Sequence, residues 1–429
     1  MNLAEHRIPA SAFDELASGA GGTDTVERLK AAQRSRHLLL LRGVLDTTRG
    51  AGDPRWPAVR RAYDLLASVQ ATHPEAVSAV LHHPSVGAWA RHTIQTLETP
   101  EQMSALAAAA AIRARFACDL DVAVVDGVLN LPSLGQLTVG PGVTTVTVHC
   151  SADGAEVSTG GRYLQISEDE PAWRPLRHLS ARAADEHFDV VIDDLDPHRM
   201  PGSGALRHPL TPQEAGHWQD LLDGGWELLV RNHLPMAQQV SAAITVFTPL
   251  SAPPDGMSSA TSRETFGCIA MSTPPDAHAL AVTLAHETQH AKLSALLDIV
   301  PLTKPDDGSR YYAPWRPDPR PAAGLLQGTY AYVGVTDFWE RQRHHESGES
   351  EVRANAEFAR WRSAAGLVAR TLLESGALTP PGVSFVSGMA RRLEEWAREP
   401  VPGAAATLAE GAADRHRSLW RERNAGQAG

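Results

Sequence analysis

At 429 residues the chain exceeds one ordinary domain, so two or three packed units with ample buried core are expected. Hydrophobic residues at 43%, charged residues at 21% and a mean hydropathy of −0.23 describe an ordinary soluble protein. The formal net charge of −11 excludes the broad basic face that general nucleic-acid binding needs. Cys118, Cys150 and Cys268 stand apart without CxxC spacing, which is neither a disulfide framework nor a thiolate zinc site and fits a reducing cytoplasm. The opening residues lack a basic stretch followed by an apolar run, so no secretory signal is expected, and no apolar run is long enough to span a membrane. Lysine is confined to Lys30, Lys292 and Lys304 while Arg and Ala abound, a pattern that genomic base composition explains.

Residues 1–120 read as a helical N-terminal region. The run TDTVERLKAAQRSRHLLLLRGVL has Thr23 or Thr25 as N-cap and apolar residues at helical spacing, and two further segments continue the pattern. Residues 121–200 form a β-rich region, Val-, Thr- and Gly-rich at its start, where short alternating runs are broken by Gly-Pro and Asp-Gly turns. His149 within it reads as a satisfied core or edge histidine, and Asp193, Asp194 and Asp196 read as a solvated acidic turn without the Gly and distal Glu of an EF-hand loop. A PGSG linker at 201–204 leads into the third region, 205–429, where Thr211 and Glu214 have capping-box spacing. Two strand-like runs follow, SAAITVFTPLSA and ETFGCIAMS.

The segment 279–300, ALAVTLAHETQHAKLSALLDIV, has no internal Gly or Pro and should be helical. Positions i and i+4 share a helix face, so His286 and His290 can present two imidazoles to one ion, with Glu287 roughly 100° around. The alternative is a helix with two buried, hydrogen-bonded histidines. A working metal site needs a third donor or open positions, and HExxHxxGxxH is absent because Leu293 and Leu296 stand where its Gly and third His would be. The next helix, 324–345, offers Gln327 on an inward stripe with Ala331, Gly334 and Phe338; Asp337 and Glu340 lie nearer its exposed end, and His344 and His345 close it. Between the helices, Arg310, Tyr311, Tyr312, Trp315, Arg316 and Arg320 form a proline-stiffened loop. It suits either holding a dicarboxylate or covering the core. The fold class expected is α+β, mostly helical, with a small central β-region and a C-terminal zincin-like HExxH domain.

The run LAHETQHAKLSALLDIVPL…YYAPWRPDPRPAAGLLQGTYAYVGVTDFW resembles the HExxH domain of bacterial ribosomal-peptide modification systems. These are the Fe(II)- and 2-oxoglutarate-dependent HExxH-type peptide β-hydroxylases, found standalone or fused to radical SAM cyclophane synthases. The resemblance is strongest over 258–343 and weaker through SAFDELASGAGG and RSRHLLLLRGVL; without a CxxxCxxC motif, the standalone form is expected. It implies Fe(II) on His286 and His290, 2-oxoglutarate chelating the metal, dioxygen as co-substrate, and hydroxylation at Cβ of a precursor-peptide residue. Gln327, in LLQG, is the candidate third ligand; Arg316, then Arg320 and Arg263, are candidates for the distal carboxylate of 2-oxoglutarate. Tyr312 and Trp315 are candidate peptide contacts, and Glu287 would orient a metal ligand or the peptide. The peptide is expected to pair along SRETFGCIAMS, and a radical SAM maturase of the same pathway is a candidate partner. Rival expectations are a zinc peptidase with Glu287 as general base, and a non-catalytic peptide-binding partner.

Overall fold

Ala- and Leu-rich stretches broken by Pro and Gly set the N-terminal architecture. The computed structural model describes residues 5–202, 206, 208–254 and 256–425; the second half of the linker at 201–204 lies outside them. Helices Ala10–Ala17, Thr23–Gly50, Trp56–Thr72, Pro74–Leu81, Pro84–Thr96 and Met103–Ala114 come first. Three of them carry Pro in their first two positions, where the missing N–H costs nothing. The long helix is capped by the backbone of Gly22, whereas Thr25 is buried in the first turn and bonds Glu15. That corrects the expected threonine cap.

Two small antiparallel sheets follow. One orders Cys118–Ala123, Thr145–Cys150, Ala155–Thr159 and Arg162–Gln165; the other orders Val128–Leu131, Gly135–Thr138 and Trp173–Pro175. Their inward residues, among them Val122, Leu129, Val148 and Val157, share one hydrophobic core with Leu45, Val69, Trp89 and Leu106 of the N-terminal helices. His149 is satisfied by Asp119 at 2.6 Å and Ser158 at 2.9 Å, in a strand paired on both sides.

A second core surrounds a five-stranded mixed sheet ordered Ser259–Ala260, Cys268–Ser272, Val246–Leu250, Glu186–Ile192 and Arg177–Ala183. The middle three strands run parallel. Val246–Leu250 and Cys268–Ser272 are buried on both faces, as parallel strands covered by helices must be. Helix Pro212–Asn232 opens with the full Thr211–Glu214 capping box. Leu234–Ala243, Ala277–Leu297, Ala322–Gln342, Glu349–Glu374, Pro380–Ala397 and Gly403–Asn424 complete the chain. The fold is thus α+β with 55% helix and 15% strand in small sheets. Among the described residues no helix is long and apolar enough to cross a membrane.

Candidate metal centre

Asp276 caps the helix Ala277–Leu297 by accepting from the backbone N–H of Ala279 at 2.7 Å. The helix is buried nearly all round, and it crosses Ala322–Gln342 closely because Gly334 has no side chain. A methyl there would stand 2.5 Å from Gln289 Cγ and 3.1 Å from the Ala285 carbonyl. This crossing fixes the distance between the HExxH residues and Gln327.

His286 and His290 converge. Their Nε2 atoms lie 3.2 Å apart and the rings meet edge to face. On the far side of its ring, His290 Nδ1 donates to Gln327 Oε1 at 3.0 Å, and Gln327 Nε2 donates to Ser294 at 3.2 Å. With the amide oxygen turned to the ring, the His290 proton sits on Nδ1. The Nε2 lone pair therefore faces His286, as a metal ligand requires. Burial, with His290 adding to it, pushes the His286 pKa down to about 4, so this imidazole is neutral at pH 7. Gln327, the expected third ligand, meets His290 on its Nδ1 side, where it orients the ring. Among the described residues no third His, Cys, Asp or Glu completes the pair.

Glu287 is 2% exposed. Ser259 donates to its Oε1 at 2.7 Å and Thr261 to its Oε2. Both oxygens are thus held by the edge strand Ser259–Ala260 and the residue after it, and Oε1 sits 4.0 Å from His286 Nε2. The partners of Glu287 carry no motif, so only the fold could supply them. Likewise Tyr332 was not singled out from sequence. Its ring packs edge-on to His286 at 5.2 Å between centroids and stacks between Trp315 at 4.7 Å and Trp361 at 4.1 Å. Burial raises the Tyr332 phenol to about 12, and the charges of Arg360, Glu287 and Arg316 all reach it. The signal that could have found it is spacing: Tyr332 falls one turn beyond Gly328, against which the Trp315 indole lies.

The loop residues separate. Trp315 belongs to the wall beside His286. Arg316 and Arg320 both pair with Asp318, at 3.2 and 3.0 Å. Tyr312 instead bonds His416 at 2.9 Å and lines a cavity of about 330 Å³ with Arg360, Trp361 and Arg417. Arg263 is turned to the C-terminal end of the HExxH helix, where Asp298 holds it together with Arg36 and Gln33. Its guanidinium is thus taken by Asp298 at the helix end, as those of Arg316 and Arg320 are taken by Asp318. His344 and His345 lie exposed just past the helix end.

Two further expectations are corrected. Cys268–Ser272 is an inner strand, flanked by Val246–Leu250 and Ser259–Ala260, so the sheet edge on this side is Ser259–Ala260, with Arg177–Ala183 at the other. Asp193, Asp194 and Asp196 are 0%, 6% and 2% exposed, because their turn is folded into the seam between the two cores. The chain matches no protein-family model, and no curated protein matches it in sequence.

Proposed function

We propose that the chain is an Fe(II)- and 2-oxoglutarate-dependent peptide hydroxylase, with His286 and His290 as the protein ligands of the metal. The observation that carries this is the 3.2 Å approach of the two Nε2 atoms, with Gln327 holding the His290 proton on Nδ1. Two imidazoles converging in a partly buried site fit a divalent first-row metal. With 2-oxoglutarate and dioxygen, such a metal supplies oxidation of an unactivated C–H bond.

The chain's own residues do the positioning. Among the described residues no third acidic side chain completes the histidine pair, which leaves coordination positions for a chelating 2-oxo acid. Arg316, whose charge reaches the Tyr332 phenol, is the candidate to take the distal carboxylate in exchange for Asp318. Trp315, Tyr332 and Trp361 wall the site and exclude water from a reactive centre. A precursor peptide would pair along Ser259–Ala260, the free sheet edge whose residue Ser259 grips Glu287. Glu287 then ties the peptide-binding edge to the metal helix.

Incubation with precursor peptide, Fe(II) and 2-oxoglutarate in air should add one oxygen atom to the peptide and release succinate. Unaltered peptide without succinate sinks the reading. The zinc-peptidase alternative draws on the nearness of Glu287 to His286 and on the same open edge. It requires peptide cleavage with zinc alone under anaerobic conditions.

A further inference from the structure

His83, Asp193 and Asp196 come from segments more than a hundred residues apart, yet each brings a ligand atom within 4.8 Å of the others. His83 caps the helix Pro84–Thr96, next to Leu81 and Val86 of the first core. Asp193 directly follows Ile192, the last residue of a strand in the second core. The cluster therefore sits on the seam where the two cores meet, and all three side chains are buried.

Its hydrogen bonds leave one gap. Asp193 Oδ1 accepts from the backbone N–H groups of Leu195 at 3.1 Å and Asp196 at 2.9 Å. Asp196 accepts from His198 N at 2.8 Å, Ser85 Oγ at 2.8 Å and Asn130 Nδ2 at 3.0 Å. Because the single Ser85 proton goes to Asp196, Ser85 Oγ accepts from His83 Nδ1 at 2.8 Å, and His83 Nε2 is left as a bare lone pair. It lies 3.5 Å from Asp193 Oδ2, and neither atom has a hydrogen-bond partner among the described residues. Two electron-rich atoms facing each other in a dry seam repel unless something positive lies between them. A shared proton is a poor candidate, since the separation exceeds hydrogen-bond length. A tetrahedral ion about 2.1 Å from each of two ligands sets them roughly 3.4 Å apart, close to what is found. Arg199, whose charge reaches Asp193, spends N–H groups on the carbonyls of Asp196 and Leu206 instead.

We infer that His83, Asp193 and Asp196 form a second, structural site for a divalent transition-metal ion that joins the two cores. One imidazole with two carboxylates selects a first-row ion such as Zn(II) or Mn(II) over Mg(II) or Ca(II), which prefer all-oxygen cages. Two carboxylates neutralise the ion, so its burial leaves no net charge in the seam. Ser85, Asn130 and the backbone N–H groups then serve as the hydrogen bonds that orient the ligands.

The test is metal stoichiometry of the full chain, stripped with chelator and dialysed against Zn(II). The wild type should retain one equivalent more than Asp193→Asn, and the His286→Ala/His290→Ala variant should still hold one. Equal zinc in wild type and Asp193→Asn, or none in the His286→Ala/His290→Ala variant, overturns the inference. If Asp193→Asn does not fold, X-ray absorption at the zinc edge of the His286→Ala/His290→Ala protein decides. One imidazole with oxygen neighbours supports the site, and two imidazoles or any sulfur overturns it. Zinc content unchanged by loss of the HExxH histidines would count against the hydroxylase reading and leave this site standing.

Discussion

Gln327 and His290 are locked through Nδ1 at 3.0 Å, opposite the nitrogen that faces His286. Gln327→Ala removes the acceptor that fixes the tautomer, so half-free imidazole rotation and the wrong proton position should weaken metal binding by about 10- to 100-fold. Gln327→Glu keeps the acceptor and should stay within a few-fold of wild type. Titration with Fe(II) or Co(II) measures both; equal affinity in wild type and Gln327→Ala would show that the amide does not orient the ring.

Glu287 separates the two enzymatic readings. Its oxygens are already taken by Ser259 and Thr261. If its task is to hold the edge strand, Glu287→Gln retains one acceptor and sets an amide N–H, which cannot accept, against the second hydroxyl, costing about 1–3 kcal/mol in stability and under about tenfold in turnover. A general base would lose on the order of 10²–10⁴ in rate. Turnover with peptide, beside a denaturation midpoint, distinguishes them.

The helix crossing at Gly334 sets the metal pair against Gln327. Gly334→Ala would drive a methyl into Gln289 Cγ and the Ala285 carbonyl, and should cost about 1–3 kcal/mol while weakening metal binding, because the helices must separate. Chemical denaturation together with metal titration tests this; an unchanged midpoint would mean that the crossing has slack.

Lys292 is fully buried; its ammonium donates to the carbonyls of Gly19 and Ala20 and the amide oxygen of Gln239 and lies over the Tyr330 ring. Burial lowers its pKa to about 7. The folded chain therefore releases this proton near pH 7 while the unfolded chain keeps it until about pH 10.4. Over that window the unfolded state binds more protons, so stability should rise with pH. Lys292→Met should flatten the rise, read as urea midpoints between pH 7 and 10; the same slope in both proteins would show that Lys292 does not titrate there.

Local chemistry was legible from the residues, and long-range pairing was not. The HExxH helix, the strands at 246–250 and 268–272 and the Thr211 cap follow from periodicity and capping, which depend on neighbours a few residues away. The inward stripe of Ala331, Gly334 and Phe338 was legible for the same reason. The pairing of Asp298 with Arg263 and Arg36, the grip of Ser259 and Thr261 on Glu287, and the meeting of His83 with Asp193 depend on how whole elements dock. Spacing along the chain holds no trace of them. The acidic turn misled because three aspartates within four residues look solvated, while backbone N–H groups, Arg177, Ser85 and Asn130 make their burial tolerable.

Gln289 and Lys292 both reach from the HExxH helix to the carbonyls at Gly19 and Ala20. The opening turn of the chain thus forms part of the bed on which the histidine-bearing helix rests. A protein shortened past Ala20 would leave the Gln289 amide without its acceptor and the Lys292 ammonium with Gln239 in place of three oxygens, so the histidine-bearing helix and the segment around Gly19 must mature together.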